Sequence, residues 1–174
     1  MTLAFIALGL DHRHIFGMTE NMLRIGARCL GFWTDGTPQP LEGYMRRFPE
    51  LLRFNNLECA LSAGADLALV SAIPGDRATL AIQAMHTGHD VMTDKPGCTD
   101  IEQLTLIKAA VAETGRIWSI NFSERFEVPC VTLAYTIHDE TRGSWGSVQC
   151  DTHTPRKCTI LLTLRKRRLR VIRT

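Results

Sequence analysis

The chain alternates continuous apolar runs with stretches of helical periodicity. Leu3 to Leu8 is apolar throughout, as expected for a strand buried on both faces of a parallel sheet, and Gly9 ends the run. Ile15, Met18, Met22, Leu23 and Ile25 recur at helical spacing and predict a helix over Ile15 to Ala27. Cys29 to Trp33 reads as a second strand, followed by the turn Thr34-Asp35-Gly36. Leu41 to Phe48 and Leu57 to Ala63 predict short helices stopped by Pro49 and Gly64. Asp66 to Ser71 is the clearest buried strand, and Ile73-Pro74-Gly75-Asp76 is the turn after it. Ala78 to Met85 predicts a helix, and Val91-Met92 a brief strand running into Lys95. Thr99-x-x-Glu102 has capping-box spacing and opens a helix closed by Gly115. Ile117 to Phe122 is the next strand.

This order predicts an α/β fold, a doubly wound parallel sheet of about six strands with right-handed crossovers. Val131 to His138 predicts a helix, and Trp145 to Cys150 a strand that starts a second α/β domain. The expected organisation is a nucleotide-binding-type domain over 1–125, a connecting helix and the start of a second domain over 126–155, and a basic tail over 156–174.

Charge changes the picture at one end only. Residues 1–151 hold 12 Lys and Arg against all 18 Asp and Glu, a balance of −6. Residues 152–174 hold the other eight basic residues and no acid, +8. The tail has no aromatic residue for base stacking, so it reads as an extension from a shifted frame or truncated gene rather than a nucleic-acid arm. Its like charges predict poor order. The six cysteines make no Cys-x-x-Cys, which argues against a zinc ribbon and for free thiols in a cytoplasmic protein. No apolar run approaches the length of a membrane span, and no membrane partner is expected.

Four places carry candidate chemistry. Lys95 precedes Pro96, which holds the lysine extended at the carboxyl end of a strand, where open α/β sheets bind ligands. The alternative is an exposed turn lysine. Gly9-Leu10-Asp11-His12-Arg13-His14 stands where G-x-G-x-x-G would open a dinucleotide site, with only its first glycine kept. His12, Arg13 and His14 would offset the charge of Asp11; the alternative is an ordinary turn with Asp11 as helix N-cap. Asp35 closes the second strand, where an acid bonds a ribose hydroxyl and favours NAD over NADP, or simply forms an Asp-Gly turn. His12-x-His14 and His86-x-x-His89 have no acid or cysteine at ligand spacing, so both read as surface or turn histidines and no metal site is expected.

Together these features resemble the N-terminal domain of the Gfo/Idh/MocA oxidoreductases over about residues 3–150. Ala72-Ile73-Pro74-Gly75-Asp76 is similar to the family's Ala-Thr-Pro-Asn turn, and Ala81 to Val91 to its helix and Gly-Lys-His-Val run. Asp94-Lys95-Pro96 resembles its Glu-Lys-Pro signature, and Asn121 to Phe126, with Arg125, its Phe-x-x-Arg-Phe segment. Arg77 departs from the family's usual histidine, and the resemblance ends near Pro155.

The resemblance implies a Rossmann domain binding NAD or NADP and a second domain for a sugar-like or polyol substrate. Lys95, the implied catalytic residue, would sit between nicotinamide and substrate, and the Lys95-Pro96 bond would fit a cis geometry. Gly9, His12, Asp35, Ile73, Pro74, Asp94 and Lys95 are the implied cofactor-binding residues. The family's Asp and His proton-transfer pair has no matching positions in this chain. The intact enzyme would have room for a homo-oligomer. Two other readings stand beside this one: a non-catalytic dinucleotide-binding or scaffold protein, and a nucleic-acid binder acting through its tail.

Overall fold

All seven residues of the first strand, β1 (Ala4–Leu10), are buried. That is the burial of a central strand in a two-faced sheet, and it includes Gly9, which lies within the strand rather than ending it. A computed structural model describes residues 2–122 in full, and beyond them only three short strands. Val131 to His138 and Arg125 lie outside the described residues.

The first unit continues with α1 (His14–Arg24), β2 (Arg28–Trp33), α2 (Leu41–Arg47), α3 (Leu57–Leu61) and β3 (Leu67–Ser71). It closes with α4 (Arg77–His86), β4 (Asp90–Thr93), α5 (Ile101–Thr114) and β5 (Trp118–Ile120). The five strands are parallel in the order β2-β1-β3-β4-β5. The chain therefore winds outward from β1 in one direction, then crosses back to β3 and winds the other way.

Strand alternation divides the core into two layers. Ile6, Leu8, Ala68, Val70 and Val91 face one side, against Ala60, Ala81, Ala84, Met85 and Ile107 of α3, α4 and α5. Phe5, Ala7 and Leu69 face the other, against Ile15 and Met18 of α1 and Leu41 and Tyr44 of α2. Buried Tyr44 keeps its hydroxyl satisfied through Thr19 Oγ1 at 2.8 Å.

The edge of β2 carries one further main-chain bridge, between the two short helices. Phe32 N donates to Leu52 O and Phe54 N to Phe32 O, both at 2.8 Å, and Arg53 bridges Phe32 in parallel. Gly31 permits this close approach, because a Cβ there would overlap Leu52 O. Capping also shifts by one residue. Asp100 is the N-cap of α5 and accepts from Gln103 N at 2.8 Å, while Gln103 Oε1 accepts from Thr99 N at 2.9 Å. Gly115 ends the helix at φ 67°.

Residues 123–174 form a separate unit. It contains an antiparallel sheet of β6 (Val148–Gln149), β7 (Ile160–Leu162) and β8 (Val171–Ile172). β6 falls inside the expected strand. The tail contributes β7 and β8 to this sheet by main-chain pairing. Among the described residues, no helix is long and apolar enough to cross a membrane.

Candidate functional site

The carboxyl ends of β1, β2 and β3 enclose a cleft of about 220 Å³, lined by residues that include Gly9, Asp11, Trp33, Asp35, Ala72 and Asp76. It sits where the sheet reverses its winding direction, the usual ligand crevice of such sheets. Its volume is below the ~300–1,000 Å³ of a complete ligand pocket.

Gly9 is needed there for a reason the sequence did not reveal. Its φ is 70°, and a Cβ would lie 2.6 Å from both Cα and Cβ of Ala72. The glycine lets the turn after β1 pack on the turn after β3. Asp35 is exposed at the cleft, and its Oδ1 accepts from Gly36 N at 3.0 Å. It is thus a turn residue and a cleft residue at once. Ile73 and Pro74 are exposed in the turn after β3.

Asp11 is not the N-cap of α1. Arg13 holds that position without a side-chain bond. Partial burial raises the Asp11 carboxyl above its usual value, and Asp76 adds to the rise. Hydrogen bonds from the Ile73 and Asp11 backbone oppose it. Two of the turn's N–H groups are committed: Asp11 N and His12 N both donate to Ser71 O, at 3.1 and 3.2 Å.

The second feature is a buried carboxylate at the end of β4. Asp94 has no exposed side-chain surface. Its Oδ1 accepts from His14 Nδ1 and from Lys95 N, each at 2.8 Å. Its Oδ2 lies 2.8 Å from His12 Nδ1 and accepts from Arg77 Nη2 at 3.3 Å. Arg77 is itself buried, and donates from Nε to Ala72 O at 2.7 Å and from Nη1 to Pro96 O at 3.0 Å. Burial alone would raise the Asp94 carboxyl. The His14 hydrogen bond, the Lys95 N–H and the Arg77 charge outweigh it and hold the carboxyl below its ordinary value.

His12 and His14 are half-exposed at the turn, as expected, but they have a partner that the sequence did not show. The acid missing at local spacing arrives from Asp94, 80 residues beyond His14. The three residues are close enough to suggest a metal site. Their geometry is that of hydrogen bonding: atoms 2.8 Å apart are closer than the ~3.3 Å that two tetrahedral zinc ligands at ~2.0–2.1 Å keep. Arg77 on the same carboxylate also opposes a cation there. His86 and His89 do not converge. His89 is buried beside Ala84 O and Thr87 Oγ1, and His86 approaches Glu113 at 3.8 Å.

Lys95 is half-buried, not an exposed turn residue, and its bond to Pro96 is cis. Arg77 is the member of the cluster that sequence reading did not place in the site, and the contact of His12 and His14 with Asp94 was not foreseen. The signal available for Arg77 was an arginine directly after a Pro-Gly-Asp turn, where a buried charge needs a partner.

The fold has known counterparts. No family model matches the chain, and no curated protein matches it. Among solved structures, a protein described as an oxidoreductase from Erwinia carotovora atroseptica is similar at 32% identity and TM-score 0.72. The match covers 84% of this chain and 44% of that one. The WlbA dehydrogenase of Chromobacterium violaceum, solved with NADH and UDP-GlcNAcA, matches at 19% identity and TM-score 0.71, over 82% of this chain and 41% of that one. An NADPH-dependent oxidoreductase described from Desulfitobacterium hafniense matches at 16% identity and TM-score 0.74, over 86% and 43%. The chain spans less than half the length of each.

Proposed function

We propose, from the premise that the chain belongs with the Gfo/Idh/MocA-type oxidoreductases over its N-terminal part, that it binds NAD or NADP as the nucleotide-binding half of an enzyme acting on a sugar-like or polyol substrate. The observation that carries this reading is the cleft joining Gly9, Asp35 and Ala72 at the sheet's reversal point, with Lys95 at the end of the adjoining strand. Gly9 supports the fit, since a side chain there would force the two cofactor-side turns apart.

In this reading the adenosine half occupies the cleft and Asp35 accepts from a ribose hydroxyl. Asp11, Asp35 and Asp76 together oppose a 2′-phosphate, which favours NAD. Ile73 and Pro74 flank the bound cofactor. The nicotinamide supplies a hydride donor or acceptor at C4. Lys95 orients and polarises the substrate oxygen. Asp94 fixes the Lys95 backbone through its N–H, and Arg77 ties the turn holding Ile73 to the Lys95-Pro96 segment. Free Cys29, Cys59 and Cys98 fit a reducing cytoplasm.

Titrating the 174-residue chain into NADH, followed by fluorescence, should show weak saturable binding. Incubation with inositol, glucose and related polyols should leave NADH and NAD+ absorbance unchanged, because the chain spans less than half the length of the oxidoreductases it resembles. Absence of binding overturns the nucleotide reading. Multiple turnovers overturn the assignment as half of an enzyme.

A further inference from the structure

The first unit has a second cleft, larger than the one at the sheet's reversal point. It lies between α1 and α2 and measures about 370 Å³, against about 220 Å³ for the other. That volume falls within the ~300–1,000 Å³ of small-molecule sites. The two clefts share no lining residue, and their helices pack on opposite faces of the sheet.

Phe16 and Pro40 supply an apolar wall. The Phe16 ring is braced by the core: it meets Tyr44 edge to face at 5.5 Å and lies 6.4 Å from Phe48. Tyr44 is in turn buried and tied to Thr19 through its hydroxyl. Gly43 keeps the space beside the ring open, since a Cβ there would come within 3.4 Å of Phe16 Cζ.

The polar lining carries two positive charges, Arg13 and Arg46, against the one negative charge of Glu42. Both arginines are exposed, and among the described residues neither side chain makes an ion pair or a hydrogen bond. Other arginines of the same unit are committed. Arg47 Nε donates to Glu20 at 2.7 Å, Arg53 Nη2 to Gly36 O at 3.3 Å, and Arg77 is bound to Asp94. Glu42 stands four residues before Arg46 on α2, the spacing at which helix-surface charges pair, and yet the two do not pair. A guanidinium presents a fork of N–H donors that matches a carboxylate or a phosphate. Two such forks beside a braced aromatic wall suit a molecule with one oxyanion and a flat apolar body. Glu42 opposes a polyanion.

We infer that the cleft between α1 and α2 is a second ligand site, which takes a small organic oxyanion with its charged group on Arg13 and Arg46 and its flat body on Phe16 and Pro40. The inference does not depend on the nucleotide-binding reading, because the two sites have separate linings. A phosphate monoester and an aromatic carboxylate present the same chemistry to this lining, so the probes are phenyl phosphate and benzoate, with inorganic phosphate as the ion lacking a flat body.

The experiment is a 1H–15N shift titration of the whole chain at about 0.15 M salt, where contacts between distant exposed charges are largely screened. At least one of the two aromatic probes should move the amides of residues 13–17 and 39–46 saturably, with a Kd on the order of millimolar for so small a ligand. Inorganic phosphate should bind more weakly. Arg13→Gln and Arg46→Gln should each weaken the aromatic probe by about tenfold, the scale of one lost charge-assisted contact. Both positions are exposed, so the fold is retained. Arg116→Gln, at an exposed arginine after α5, should leave the affinity unchanged. Saturating NADH should leave it unchanged as well.

The inference is overturned if neither aromatic probe saturates in the millimolar range, or if both cleft arginine variants bind as the parent does. It is equally overturned if Arg116→Gln costs as much as they do, or if inorganic phosphate binds as tightly as the aromatic probes. Displacement of the probe by NADH would assign the cleft to the dinucleotide and remove the second site. A chain that binds the probe but not NADH keeps this inference and loses the nucleotide reading.

Discussion

Replacing Arg77 by Met tests whether the two cofactor-side turns are held by one buried charge. Methionine keeps most of the stem and removes the guanidinium. Its loss leaves Ala72 O and Pro96 O without a donor, and deprives the buried Asp94 carboxylate of its nearest permanent cation. Breaking a buried pair on one side costs about 3–5 kcal/mol, because the surviving charge stays desolvated. The histidines and the Lys95 N–H still solvate Asp94, so the lower end of that range, about 3 kcal/mol, is expected.

With a urea dependence of about 2 kcal/mol/M, that cost lowers the unfolding midpoint by about 1.5 M at an unchanged slope. The sign with pH follows from Asp94. Its folded carboxyl titrates below the ordinary value, so its stabilising contribution is present above the unfolded value and is lost as pH falls through the folded one. The penalty of Arg77→Met should accordingly be greatest near neutrality and shrink in acid as Asp94 becomes neutral. Adding Asp94→Asn removes the orphaned charge, so the double variant should be more stable than the summed single effects by about 1–3 kcal/mol. A single-variant cost below about 1 kcal/mol, or strict additivity, would refute the reasoning.

Three other outcomes are expected. Gly9→Val should lower the unfolding midpoint before it touches ligand binding, because its Cβ meets Ala72 and its φ is unfavourable; an unaltered midpoint in urea counts against that packing. Asp35→Arg should shift the ratio of NADPH to NADH affinity upward by about tenfold or more, read by parallel fluorescence titrations, and an unmoved ratio removes Asp35 from the ribose. In an enzyme rebuilt with a complete substrate domain, Lys95→Met should lower the rate by roughly 10²-fold while NADH affinity changes far less. An undiminished rate there would return Lys95 to a structural role.

The amino-acid sequence by itself determined the layers of the fold. The strands of the first unit are apolar over short runs and the longer helices carry apolar stripes, so local periodicity identified β1 to β5, α1, α4 and α5 with small errors at their ends. It placed Asp35 and Lys95 just past strand ends, since a turn residue marks where a strand stops, but ended β1 at Gly9, which lies inside the strand. It could not see the bridge of Arg53 to Phe32, whose pairing comes from the main chain and not from an apolar pattern. Nor could it see the cluster around Asp94. A buried carboxylate, a buried guanidinium and two half-exposed imidazoles have no periodicity, and their partners lie between 17 and 80 residues apart along the chain. Only the parallel sheet, which brings the ends of β1, β3 and β4 to one edge, puts those charges within hydrogen-bonding distance. Desolvation there makes each partner necessary, which is why tertiary structure alone decided that His12, His14, Arg77 and Asp94 act together.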